Sequence, residues 1–145
     1  MNSLKILIGN DIPDQGISWA NTFKSAGAFA VTRKANGMIL LQYVREYSMP
    51  DVMIIEAKMP GLDAAGLIRE LKKIGELPVI IVTADQEMPS VKEEVIYLGA
   101  GGFLVKPFDV SKLIKAISEA GEHNSSVNIN IEDAFKETSD QQDLE

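Results

Sequence analysis

The chain contains no cysteine, a single histidine and a single tryptophan in 145 residues. Without cysteine there is no disulfide framework, no thiolate metal site and no thiol nucleophile. The lone His123 stands near the C-terminus, where it supplies neither a multi-histidine metal centre nor a Ser-His pair for the body of the chain. Basic residues are also in deficit: 14 Lys+Arg face 21 Asp+Glu, a formal net charge of −7. Such a balance disfavours nucleic acid, whose phosphates reward Lys and Arg. Long hydrophobic runs are absent, since none approaches the roughly 20 apolar residues that cross a bilayer. The start Met1-Asn2-Ser3-Leu4-Lys5 has no basic stretch ahead of a long apolar core, so secretion is not signalled and a cytoplasmic location is expected.

What is present is an ordinary globular composition, 46% hydrophobic, at a length that suits one domain with a single core. The acidity is unevenly placed. Residues 122–145 carry seven acids against Lys136, a net of −6, whereas residues 1–121 are close to neutral at −1. The later segment is rich in Asn, Ser, Gln and acids. It reads as a tail or linker, with at most a transient element over Ile131–Phe135. The expected boundaries are therefore a folded domain at 1–121 and an acidic tail at 122–145.

Within the body, Leu4–Ile8, Val52–Ile55, Val79–Val82 and Phe103–Val105 are nearly continuous apolar runs, with a weaker one at Phe29–Thr32. Continuous rather than alternating apolarity suits strands buried on both faces, as in a parallel sheet covered by helices. Helical stripes lie between them: Ile17, Ala20 and Phe23 after Pro13 and Asp14; Met38 to Val44 after Asn36; Leu67, Ile68, Leu71 and Ile74; Val91, Val95 and Leu98; and Leu113, Ile114 and Ile117 behind the capping Asp109. The alternation βαβαβαβαβα predicts five strands and five helices in a doubly wound parallel sheet. Ligands of such folds sit at the carboxyl ends of the strands. Those ends carry Asn10 and Asp11, then Glu56 followed by Lys58, then Thr83, then Lys106-Pro107. Carboxylates, a hydroxyl and an ammonium in one crevice are the groups that hold a divalent cation and a phosphoryl group.

These residues resemble the receiver domains of two-component response regulators. The likeness runs from Leu4 to Gly121 and rests on Ile6-Leu7-Ile8-Gly9-Asn10-Asp11, Pro50-Asp51-Val52-Met53-Ile54-Ile55-Glu56 with Met59-Pro60-Gly61-Leu62-Asp63, Pro78-Val79-Ile80-Ile81-Val82-Thr83-Ala84, and Gly99-Ala100-Gly101-Gly102-Phe103-Leu104-Val105-Lys106-Pro107-Phe108. It implies a flavodoxin-like receiver fold with strand order 2-1-3-4-5 and a cis Lys106–Pro107 peptide. By resemblance, Thr83 and Lys106 serve the phosphoryl site, Phe103 takes the switch aromatic's place, and Asn10, Asp11, Glu56 and the Lys58 backbone carbonyl correspond to the Mg²⁺ site.

Two positions depart from the family pattern. Glu56 stands where the phosphoaccepting aspartate belongs, and Asn10 replaces the first of two acids. An extra methylene moves the carboxylate by roughly 1 Å, a misplacement that costs on the order of a hundredfold in positioned chemistry. In-line phosphoryl transfer depends on such positioning. Asn10 removes one negative charge from the cation site. The longer carboxylate instead reaches the space of a phosphoryl oxygen, within range of Lys106 and Thr83, although it has two acceptor oxygens where a phosphoryl group has three. Phe103, lacking a hydroxyl, is expected to turn inward.

The expectation is a non-enzymatic signalling module with no catalytic residue: an atypical receiver acting through protein contacts without aspartyl phosphorylation, requiring no cofactor and binding Mg²⁺ weakly if at all. Its expected partners are proteins, a histidine kinase or a downstream signalling protein, with neither nucleic acid nor membrane. The face of the fourth helix, fifth strand and fifth helix is the expected contact surface, for a partner or a homodimer. The rival reading is a working phosphotransfer receiver that takes phosphate from a histidine kinase with Mg²⁺. A metal-dependent hydrolase needs a general base beyond Asp11 and Glu56, and none is placed. Outside this crevice the residues read plainly: Trp19 as packing, His123 as solvated, and Asn124-Ser125-Ser126 as a glycosylation pattern without meaning in a cytoplasmic protein.

Overall fold

The computed structural model describes residues 4–10, 18–23 and 29–122. Its elements are β1 (Leu4–Gly9), α1 (residues 18–23), β2 (Phe29–Lys34), α2 (Gly37–Glu46), β3 (Val52–Glu56), α3 (Ala64–Ile74), β4 (Val79–Ala84), α4 (Pro89–Leu98), β5 (Gly102–Val105) and α5 (Val110–Glu122). All four strand pairings are parallel, and the sheet order is β2-β1-β3-β4-β5. Asp11, Pro13, Asp14, His123 and the tail lie outside the described residues.

The continuous apolar runs are explained by two cores, one on each face of the sheet. Leu7, Met53, Ile55, Ile80 and Val82 face α2, α3 and α4, where they meet Leu40, Leu67, Ile68 and Leu71. Ile6, Ile8, Val52, Ile54, Val79 and Ile81 face α1 and α5, against Trp19, Phe23, Leu113 and Ile117. Residues alternate between faces along each strand, so a strand covered on both sides is apolar along its length, with buried polar residues only near its carboxyl end, at Glu56 of β3 and Thr83 of β4. Each fully buried Leu, Ile or Val side chain contributes roughly 1.5–3 kcal/mol, so the central strands carry much of the stabilisation among the described residues.

The helices begin where their caps allow. Asn36 accepts from the Ile39 amide at the head of α2, and Asp63 accepts from the Gly66 amide at the head of α3, each satisfying an otherwise orphan donor. Asp109 does the same for the Lys112 amide and also accepts from the Ser111 hydroxyl. Those bonds favour its ionised form and hold its carboxyl below the ordinary Asp range. Two details differ from the sequence expectation. Ile74, assigned to the buried stripe of α3, is 43% exposed, because it sits in the last turn just before Gly75, which ends the helix. In α4 only Val95 is fully buried, while Val91 and Leu98 are partly covered. Ile96 and Tyr97 point out of the fold.

Candidate functional site

Glu56 ends β3 and is paired in register with Thr83 at the matching position of β4. On the other flank, β1 runs alongside β3 as far as the Gly9–Ile55 pair, which brings Asn10 beside Glu56. The Ala57 amide donates to the Thr83 carbonyl at 2.7 Å and the Lys106 amide to the Ala84 carbonyl at 2.8 Å, so the ladder continues past the strand ends. Four strands thus fix the backbone beneath the site before any side chain is considered.

The side chains converge on one oxygen. Glu56 Oε1 accepts from Asn10 Nδ2 at 3.2 Å, from Thr83 Oγ1 at 2.8 Å and from Lys106 Nζ at 2.5 Å. The Glu56 side chain is only 6% exposed and that of Lys106 10%. An ion pair so removed from water survives only when hydrogen bonds satisfy the charges it buries, and here Asn10 and Thr83 supply them. Lys106 Nζ also lies 3.3 Å from Oδ1 of the exposed Asp85 and 5.9 Å from the centroid of the Trp19 ring. That indole stacks on Phe108 at 5.7 Å. The peptide between Lys106 and Pro107 is cis. Behind Asn10, Arg33 Nη2 donates to its carbonyl at 2.8 Å.

Glu56, Ala57, Lys58, Ala84, Asp85 and Met88 line an open crevice of about 450 Å³ above the strand ends. The Lys58 side chain is exposed at its rim. Phe103 is half-buried, packs against the core under α4 and lines a second hollow with Met88, Pro89, Lys92 and Val105. Of the sequence-derived residues, Asn10, Glu56, Thr83 and Lys106 meet directly, Lys58 stands at the edge, Phe103 lies one strand away, and Asp11 falls outside the described residues. Among the described residues, no three Asp, Glu, His or Cys side chains gather closely enough to hold a metal ion.

Sequence reasoning missed two contacts. Asn10 was read only as a neutralised acid, yet it is a donor to Glu56; the adjacency of β1 and β3 was the signal. Asp85, two residues past Thr83, was passed over, although one full turn of an extended chain returns its side chain to the Lys106 side.

A doubly wound parallel sheet with an acid, a hydroxyl and a lysine at adjoining strand ends defines the receiver class of signalling domains. The family model "Response regulator receiver domain" matches residues 6–118, and the chain belongs to that family of two-component signalling proteins. It is 32% identical over 120 residues to sporulation initiation phosphotransferase F of Bacillus subtilis, covering 82% of this chain and 94% of that one. It is 27% identical over 117 residues to the transcriptional regulatory protein BaeR of Escherichia coli, covering 80% of this chain and 47% of that one. The chain thus spans less than half the length of BaeR, and about a quarter (24%) of the E. coli regulator NtrC. Among solved structures, a response regulator receiver domain from Clostridium thermocellum superposes with a TM-score of 0.74 at 25% identity, covering 83% of this chain and 95% of that one. The receiver domain of Mycobacterium tuberculosis NarL gives 0.72 at 20% identity, covering 86% and 100%. No described helix is long and apolar enough to cross a membrane.

Proposed function

We propose that this receiver signals through protein contacts without aspartyl phosphorylation, with the Glu56 carboxylate standing in for a phosphoryl oxygen. The observation that carries the reading is the convergence of Thr83, Lys106 and Asn10 on Glu56 Oε1. In phosphoryl transfer a hydroxyl and an ammonium stabilise charge on the transferred group. Here both are already committed to the carboxylate, so an incoming phosphodonor meets a nucleophile whose buried oxygen is occupied and whose charge is neutralised.

Metal does not restore the reaction in this account. Asn10 brings an amide donor to the position of an acid, Glu56 Oε1 holds three donors, and an ammonium lies 2.5 Å from it. Like charge beside a cation site weakens it. The described donor set does not fit a resident Mg²⁺, and no step is routed through one. The working phosphotransfer alternative gains no support from this geometry.

The output surface is the face of α4, β5 and α5. Ile96 and Tyr97 are exposed on it at 43% and 87%, beside the hollow under Phe103. Large apolar side chains at that exposure suit a protein partner. Trp19 reports on the site, because it is the only tryptophan and its ring lies below Lys106. Acetyl phosphate added with Mg²⁺ is expected to leave Trp19 emission where Mg²⁺ alone leaves it. A further, saturable change on adding the phosphodonor would overturn the reading.

A further inference from the structure

We propose that the Asp85–Lys106 ion pair is a latch on the loop between β4 and α4, and that its opening frees the head of α4 while Glu56 keeps its lysine. The stand-in role of Glu56 makes no use of Asp85, and the latch operates whether or not Glu56 accepts phosphate. One ammonium serves two carboxylates in very different surroundings. Lys106 Nζ lies 2.5 Å from Glu56 Oε1 and 3.3 Å from Asp85 Oδ1, and the two acid side chains are 6% and 76% exposed. Parting Lys106 from Glu56 leaves a buried charge without its counter-charge, which is strongly unfavourable. Parting it from Asp85 returns one carboxylate to water and leaves the ammonium paired. The inner pair is therefore fixed and the outer one is free to break. An exposed pair of this kind shifts an equilibrium by only about two- to fivefold.

What the outer pair holds is the loop. β4 ends at Ala84 and α4 begins at Pro89, so Asp85 is the first connecting residue. The Lys106 amide donates to the Ala84 carbonyl at 2.8 Å. That bond fixes the root of the loop against the end of β5 and sets the Asp85 and Lys106 side chains within reach of each other. Beyond the root, Asp85, Gln86 and Glu87 are exposed, and Met88 is partly buried against the core. Among the described residues, Asp85 forms the loop's one ion pair. Asp85, Gln86 and Met88 line the crevice of about 450 Å³, while Glu87 and Met88 line the hollow of about 220 Å³ beside Phe103. The loop thus stands between two spaces with little packing to hold it, the condition for local opening.

The head of α4 depends on that loop, because its own anchors are few. Met88 occupies the N-cap position and makes no side-chain cap hydrogen bond, and the first turn carries no acid to meet the helix dipole. Val95, in the second half of α4, is its one fully buried residue, whereas α3 buries Ala64, Ala65, Leu67, Ile68 and Leu71. The Arg69–Glu94 pair at 3.1 Å is about half exposed at both ends and reaches α4 past its first turn. An open latch therefore loosens the first turn of the helix that presents Ile96 and Tyr97. A partner that needs this helix displaced selects the open population. Asp85 thereby sets how readily the face yields, with no change at Glu56.

Amide hydrogen exchange of the full chain, resolved by residue with NMR, tests the latch. The Lys92 amide donates to the Met88 carbonyl at 2.8 Å and closes the first turn of α4, so its exchange reports the opening of that turn. Asp85→Ala is expected to speed exchange at Lys92 by about two- to fivefold and to leave Ile54 and Ile81, in the buried strands, as they are in the native chain. In the variant without the ammonium, Glu56→Leu with Lys106→Met, adding Asp85→Ala is expected to change nothing further at Lys92. Unchanged exchange at Lys92 in Asp85→Ala, an equal rise at Ile54 and Ile81, or a further rise when Asp85→Ala is added to the ammonium-free variant would each overturn the proposal.

Discussion

Thr83 Oγ1 lies 2.8 Å from Glu56 Oε1 and donates to it across the β3–β4 pair, from a residue with no exposed surface to one that is 5% exposed. A hydrogen bond to a buried charge contributes roughly 1.5–3 kcal/mol, about twice that of a neutral pair. Thr83→Val keeps the side-chain shape and deletes the donor. Its expected cost is about 1.5–3 kcal/mol in urea denaturation, while Thr83→Ser, which keeps the hydroxyl, loses less than half of that.

Lys106 is the second partner, and its loss is the more severe. Lys106→Met leaves the Glu56 carboxylate buried with only neutral donors, at an expected cost of about 3–5 kcal/mol. Pairing it with Glu56→Leu removes both charges from a site where they are 10% and 6% exposed. The double variant is expected to recover most of the loss. Chemical denaturation of the two singles and the double, read as a mutant cycle, measures the coupling.

Gly37 opens α2 against the loop that leaves β3. A Cβ there would fall on the Leu62 carbonyl oxygen, a backbone atom that no rotamer change moves aside. Gly37→Ala is therefore expected to destabilise by about 1–3 kcal/mol in thermal or urea unfolding, although alanine is the better helix former. A neutral or stabilising result would show that α2 and this loop are not so closely apposed.

Asp109 gives the pH dependence a definite sign. Its carboxyl is held below the ordinary Asp value by the Ser111 hydroxyl and the Lys112 amide. The contribution is present above the unfolded-state value of about 3.8 and is lost as pH falls through the lower folded value. Asp109→Asn, which still caps but does not titrate, is expected to flatten that acid limb of the stability curve and leave neutral pH little changed.

The sheet was legible because burial on both faces writes itself as unbroken Ile and Val, and all five strands lie where those runs place them. Helix α3 was read too long into the core at Ile74, since periodicity continues past the point where the neighbouring elements stop. At the site, Glu56, Thr83 and Lys106 were legible as strand-end residues. Asn10 as a donor and Asp85 as a second acid for Lys106 were not, because both depend on which strands adjoin and on where a loop side chain returns.

The most direct test of the central claim is the intact mass of the protein after incubation with Mg²⁺ and acetyl phosphate, run beside Glu56→Asp. The account predicts an unmodified native chain. An adduct of about 80 Da on the native chain, the mass of one phosphoryl group placed on a residue that in-line transfer would have to reach, would contradict it.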